Sequence, residues 1–228
     1  MQVADFVASE LPPPPARVLE VGCGAGELAL ELAARGWDVT AIDPEAPDGS
    51  IFRRTTLEAL DDPGPFDAVV AQRSLHHVAD LDAAVEKIAS LLPEDGPFVL
   101  VEFAHERLAG ATADWYLGQL AALHAAGRSR PPSGRGSCAA SRATRREGAK
   151  RPLTPPRDVE SLRAGYEGLH TSAAMFAALR PRFRERMLEW TPYLHGELGG
   201  VASEALERTL VDAGAIAATG FRWVGERL

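Results

Sequence analysis

With 228 residues, 46% of them hydrophobic and 25% charged, the chain has the make-up of one globular domain with a sizeable core, not of a disordered or fibrous protein. Its 32 acids outweigh 24 bases, and the net charge of −8 disfavours broad attraction to nucleic acid or to anionic lipid. No apolar run approaches the roughly 20 residues that cross a bilayer; the first base, Arg17, comes after Asp5 and Glu10, and Cys23 and Cys138 are the only cysteines, a pattern expected of a reduced cytoplasmic protein without a secretory signal.

Val3 to Leu11 reads as a short helix, stopped by Pro12 to Pro15, so residues 1–16 form an N-terminal helix and a proline linker. Arg17 to Val21 then reads as a buried strand and Ala25 to Arg35 as a helix, with Glu27 and Glu31 early and Gly36 just past its end. Val39 to Ile42 is a second strand, Ile51 to Arg53 a short third, and Phe66 to Ala71 a clearer fourth. Asp80 has the character of an N-cap for a helix carrying Leu81, Val85, Ile88 and Leu92 on one face. Pro97 to Glu102 is a near-continuous apolar run, as expected of a strand buried on both faces.

Strands alternating with helices predict a Rossmann-like, doubly wound α/β fold with a mostly parallel seven-stranded sheet. Residues 17–103 form its core within a single domain of 228 residues. Residues 104–182 read as a helical lid inserted before the last strands, with a helix at Ala111 to Ala126 and helical pattern again from Asp158 and at Ser172 to Leu179. Within it, Arg128 to Arg151 holds eight Arg or Lys against one acid, Glu147, a composition expected to be disordered. Residues 183–228 supply a strand within Phe183 to Leu194, a helix capped by Ser203, and a last strand at Phe221 to Val224.

The informative run is Val18-Leu19-Glu20-Val21-Gly22-Cys23-Gly24-Ala25-Gly26, between a strand and a helix. Its glycines let the backbone turn tightly and approach a ligand, and the helix that follows directs free N–H groups towards it. Dinucleotide-binding proteins use the same device, but their spacing is GxGxxG and here it is GxGxG. Glu20 lies two residues before the first glycine, and Asp43, followed by Pro44, ends the next strand.

On these residues the sequence resembles the class I S-adenosylmethionine-dependent methyltransferases, whose first motif has the form (E/D)xGxGxG. The run Phe66 to Val78, with Ala71-Gln72-Arg73-Ser74-Leu75-His76-His77, is similar to the fourth-strand motif of small-molecule members, including those acting on quinone precursors. The resemblance implies S-adenosylmethionine as cofactor and a small-molecule methyl acceptor. It places Gly22, Cys23, Gly24 and Gly26 beside the methionine end, Glu20 behind that loop, Asp43 and Pro44 at the ribose, and Thr56, Leu57 and Gln72 on the adenine side.

Methylation of adenine or glutamine nitrogens goes with an Asn/Asp-Pro-Pro-Tyr run that Ala71-Gln72-Arg73-Ser74 replaces, and cytosine chemistry needs a thiolate beside the base. A small molecule remains. Where the acceptor's proton must be removed, His77 and Glu102, at the carboxyl ends of the fourth and fifth strands, are the candidate catalytic residues. The six histidines show no metal-ligand spacing. The competing readings are a cofactor-binding protein without turnover, an NAD-dependent oxidoreductase, and an RNA methyltransferase tethered by the basic stretch.

Overall fold

A computed structural model describes residues 2–62, 64–127, 156, 158–198 and 203–228; the basic stretch 128–151, with Cys138, lies outside them. Seven strands among the described residues form one sheet in the order β3-β2-β1-β4-β5-β7-β6. They are β1 Arg17–Val21, β2 Asp38–Ile42, β3 Phe52–Arg53, β4 Ala68–Gln72, β5 Pro97–Phe103, β6 Phe183–Thr191 and β7 Gly220–Arg227. The pairs β3-β2, β2-β1, β1-β4 and β4-β5 are parallel, with Val18 opposite Val39 on one side and Ala68 on the other. β7 runs against β5: the Arg227 N–H donates to the Gly96 carbonyl at one end, and the Ala104 N–H donates to the Thr219 carbonyl at the other. The sheet is therefore mixed but mostly parallel, as the alternating pattern predicts.

The order reverses between β1 and β4, which leaves a crevice at their carboxyl ends where open α/β sheets collect ligands. Strand positions such as Val18, Leu19, Val69, Val70 and Leu100 are wholly buried because helices cover the sheet. The helices in chain order are α1 Val3–Glu10, α2 Glu27–Ala34, α3 Leu81–Ser90, α4 Gly110–Ala125, α5 Val159–Ala164, α6 Ser172–Leu179, α7 Leu194–Glu197 and α8 Glu204–Asp212. α2 turns Leu28, Ala29 and Leu32 inward, and α3 does the same with Leu81, Ala84, Val85 and Ile88. Full burial of each large aliphatic side chain contributes about 1.5–3 kcal/mol. Asp80 caps α3 by accepting the Ala83 N–H at 3.0 Å, and the Trp37 indole N–H donates to the Pro12 carbonyl at 2.8 Å, which ties down the proline segment.

The chain divides into two compact units, one of Met1–Glu102, His170–Glu189 and Arg222–Leu228, the other of Phe103–Leu169 and Trp190–Phe221. The insertion expected at 104–182 therefore does not form one piece. Residues 170–182 go with the first unit because α6, with Met175, Ala178 and Leu179 buried, packs on α3. The second unit has its own core of Phe103, Leu108, Tyr116, Leu162 and Leu194. There the buried Glu207 carboxylate accepts the N–H groups of Tyr193, Leu194 and His195 at 2.7–3.0 Å, which ends β6 in a helical turn. The strand expected within Phe183 to Leu194 is β6, which ends at Thr191.

Candidate functional site

The glycine loop leaves β1 and is pinned to β2, since the Gly22 and Cys23 N–H groups both donate to the Ile42 carbonyl, at 2.8 and 3.0 Å. Gly22 has φ +75°, and a Cβ there would lie 2.2 Å from the Ser74 Cβ. Ser74 itself donates to the Val21 carbonyl at 2.7 Å, so the segment after β4 locks against this turn. At Gly26, φ +81°, a Cβ would fall 2.4 Å from the Phe52 ring, which packs over the loop from β3. Gly22 and Gly26 are thus demanded by Ser74 and Phe52 as much as by a ligand. Sequence reading missed both partners, because neither residue type carries a signal until the topology brings it alongside.

Asp43 ends β2 and joins the loop. One carboxylate oxygen accepts the Gly24 N–H at 3.1 Å, the other the Glu45 N–H at 2.8 Å. Glu20 is only 2% exposed, and its Oε2 meets no hydrogen-bond partner among the described residues. Burial pushes its carboxyl up to about 7; the Ala29 backbone N–H at the start of α2 works against this, and the charge of Asp43 adds to it. A buried carboxyl with an unused oxygen costs stability unless something pairs with it.

Cys23 is 8% exposed, and burial pushes its thiol up to about 12, helped by Glu20 and Asp43. It is no nucleophile. At pH 8 in the folded protein, iodoacetamide is expected to modify Cys23 at least about a hundredfold more slowly than in urea; peptide mass mapping reads this directly, and comparable rates in both states would contradict the burial.

Pro44 is exposed in the turn after Asp43, and Gln72 is half-buried at the end of β4. Beyond β3, Thr56 sits at the surface with its hydroxyl accepting the Ala59 N–H, while Leu57 is buried in the core. Arg73 follows β4 with φ +52°, a conformation that costs a non-glycine residue about 1–3 kcal/mol and gathers near functional sites.

The residues expected to be catalytic end in different environments. Glu102, on β5, is 1% exposed; its Oε1 accepts the Leu75 N–H at 2.8 Å, and its Oε2 meets His76 Nδ1 at 2.5 Å. Both of these contacts run to groups of the short turn Leu75–His77. His77 is half-buried, its N–H donates to the Ser74 carbonyl, and its ring lies 4.2 Å from that of His76. The buried member of the histidine pair is thus His76, and its partner Glu102 lies 26 residues further along the chain.

A family profile described as "Methyltransferase domain" matches residues 2–134, more than half of the chain. The chain belongs to the methyltransferase domain family. The ubiquinone biosynthesis O-methyltransferase of Xanthomonas campestris pv. campestris is 38% identical to this methyltransferase over 111 residues, 42% of the chain and 46% of that protein. The chain thus spans about half the length of the curated relatives it matches. An S-adenosylmethionine-dependent methyltransferase from Mesorhizobium loti superposes with a TM-score of 0.57 at 18% identity, covering 99% of this chain and 98% of the other. The geranyl diphosphate C-methyltransferase of Streptomyces coelicolor A3(2), solved with Mg2+, geranyl diphosphate and S-adenosyl-L-homocysteine, superposes with a TM-score of 0.56 at 13% identity, covering 99% of this chain and 78% of the other. At such identities the shared property is the fold.

The Mesorhizobium loti protein is S-adenosylmethionine-dependent, and the residues of the glycine loop here fit that group. The unpaired Glu20 oxygen suits an ammonium group, and Asp43 keeps lone pairs for vicinal hydroxyls beyond the two N–H groups it already accepts.

Proposed function

We propose that this methyltransferase moves the methyl group of S-adenosylmethionine onto an oxygen, nitrogen or carbon of a small-molecule acceptor by in-line displacement. The observation that carries the reading is Glu20 Oε2, buried without a partner among the described residues behind a glycine loop that Asp43 also holds. The cofactor, when bound, supplies an electrophilic methyl group on a sulfonium.

The chain's own residues do the rest. Glu20 balances the ammonium end, Asp43 takes the ribose hydroxyls, and Gly22, Cys23, Gly24 and Gly26 keep the loop free of bulk. Pro44 stiffens the turn after Asp43, and Thr56, Leu57 and Gln72 border the adenine. His77 removes a proton from the acceptor where its pKa demands it, and Glu102 holds the neighbouring His76. Alignment of donor and acceptor supplies the larger share, up to about 7–11 kcal/mol in favourable systems.

The 38% identical relative is named as an O-methyltransferase of ubiquinone biosynthesis, which supports a small molecule over nucleic acid. No helix among the described residues is long and apolar enough to cross a membrane, and with Cys23 a free thiol we place the protein in the cytoplasm. The test is turnover: S-adenosylhomocysteine should accumulate with one member of a panel of phenols, amines and activated methylene compounds. Tight cofactor binding without turnover on any of them would reduce the chain to a binding protein.

The Glu20 carboxyl also sets a pH dependence. Its folded value, about 7, lies above the ordinary 4.5. Its contribution to the stability of the cofactor-free protein is therefore fully present below 4.5 and is lost as pH rises through 7. An ammonium partner needs the charged form, so cofactor binding runs the other way. Affinity for S-adenosylmethionine should fall about fivefold from pH 7 to pH 6, with proton release on binding near pH 7. Calorimetry in two buffers of different ionisation enthalpy measures it; Asp43 and Cys23 are the other titratable groups facing this carboxyl. A flat profile would remove Glu20 from the ammonium site.

A further inference from the structure

One residue from far along the chain fastens both sides of His77. The His170 main-chain N–H donates to the His76 carbonyl at 3.0 Å, and its ring Nε2 meets the Val78 carbonyl at 2.9 Å, 92 residues away in sequence. A carbonyl oxygen can only accept, so Nε2 carries the hydrogen of that bond. The peptide unit between His76 and His77 is thereby held at both ends, since the His77 N–H donates to the Ser74 carbonyl at 3.0 Å. The next unit is tied by the Val78 N–H, which donates to the Leu75 carbonyl at 3.4 Å. With the peptide planes before and after it held, the direction in which the His77 side chain leaves the backbone is held as well.

The anchor is itself rigid. His170 precedes Thr171, whose hydroxyl caps α6 by accepting the Ala174 N–H at 3.2 Å. α6 buries Met175 and Leu179 completely and packs on α3, the helix that follows the His77 turn. Phe103–Leu169 belong to the second unit, so His170 is the residue at which the chain re-enters the first, and it returns onto the turn that carries His77. Ser74 and Glu102 fasten the residues before His77, and the ring of His170 fastens the residue after it. A side chain that must meet a substrate needs support of this kind, because a displacement of about 1 Å can cost about a hundredfold in rate.

We propose that His170 is a positioning residue for His77, its main-chain and ring N–H groups holding the two carbonyls that flank that side chain. That His77 then serves the methyl acceptor rests on the methyl-transfer reading above; the anchoring itself does not.

The test compares the full chain with His170→Phe, which keeps a ring and the main-chain N–H but loses the ring donor, and with His170→Gln, whose amide N–H2 can take the place of Nε2. Amide hydrogen exchange is read first. In His170→Phe the His77, Val78 and His170 amides should exchange at least about tenfold faster, with the amides of β1 and β2 within about twofold of the unaltered chain. His170→Gln should restore most of the protection. Turnover is then read as S-adenosylhomocysteine formed with saturating catechol, tyramine or acetylacetone, whichever the unaltered chain methylates. His170→Phe should lower kcat at least about tenfold, and His170→Gln should recover it. S-adenosylmethionine affinity, by calorimetry, should stay within about twofold in both, because the Ser74 bond to Val21 is untouched.

Unchanged protection of the turn in a folded His170→Phe protein, an equal loss of protection in β1 and β2, faster exchange with kcat unchanged, or a His170→Gln variant no better than His170→Phe would each overturn the proposal. The ring 15N spectrum of the unaltered chain needs no variant to fold: the neutral His170 ring should be the Nε2–H tautomer, and an Nδ1–H tautomer would overturn the proposal too. If the unaltered chain methylates none of the three compounds, the methyl-transfer reading falls, while a loss of protection confined to the turn still supports the anchoring.

Discussion

Glu102→Ala is expected to destabilise the protein by about 2–6 kcal/mol, because it strips two buried donors of their acceptor at once. The Leu75 N–H and His76 Nδ1 each point at a different oxygen of a carboxylate that is 1% exposed, and a buried donor left unpaired costs about 1–3 kcal/mol. Urea unfolding followed by fluorescence measures the loss as a shift of the midpoint. Glu102→Gln keeps one acceptor oxygen but turns an amide N–H2 towards the second donor, so it should fall between the wild type and the alanine variant. The pair of variants also separates two roles. If Glu102 positions the turn, stability and activity decline together; if it were the base itself, Glu102→Gln would abolish turnover while leaving the midpoint nearly unchanged. A loss below 1 kcal/mol for Glu102→Ala would mean that the turn finds water in place of the carboxylate, and the positioning role would be withdrawn.

Asp43→Ala is expected to weaken S-adenosylmethionine binding at least tenfold, about 1.4 kcal/mol. Two of the roughly four acceptor directions of its carboxylate serve the Gly24 and Glu45 N–H groups, and the remaining ones suit a vicinal diol. The alanine variant loses the ligand contacts and frees the Gly24 N–H together; Asp43→Asn retains an acceptor for Gly24 but offers less to a diol, and should bind with intermediate affinity. Calorimetric titration with S-adenosylmethionine and S-adenosylhomocysteine, with NADH as control, reads both variants. Unchanged affinity in Asp43→Ala, or NADH binding as tight as either adenosyl ligand, would remove the ribose role and with it the main support for this cofactor geometry.

The core of the fold was legible because burial writes itself locally. β1, β2, β4 and β5 are short apolar runs, and α2 and the Asp80-capped α3 are amphipathic helices between them; each of those patterns needs no knowledge of the rest of the chain. The glycine loop was legible for the same reason: Glu20, the three glycines and Asp43 all lie within 24 residues. What stayed hidden depends on distant pairings. Nothing in Ser74 signals that its Cβ fills the space that a side chain at Gly22 would need. Nothing in His76 distinguishes it from His77 until β5 delivers Glu102 beside it. The exact end of β6 could not be read, because the carboxylate that gathers the Tyr193, Leu194 and His195 N–H groups belongs to Glu207, further along the chain. That α6 goes with the first unit was hidden likewise, since it is assigned by its packing on α3 and not by its own composition.

The turn carrying the two histidines is bolted from both sides, to β1 through the Ser74 hydroxyl and to β5 through the Glu102 carboxylate. For protein engineering this divides the chain into fixed and free positions. A library seeking a new acceptor should leave Ser74, His76 and Glu102 untouched, because exchange of any of these side chains breaks a hydrogen bond whose other half sits on a different element. Variation at Arg163 and Glu167, exposed side chains at and just after α5, breaks no such lock and can be encoded on one oligonucleotide.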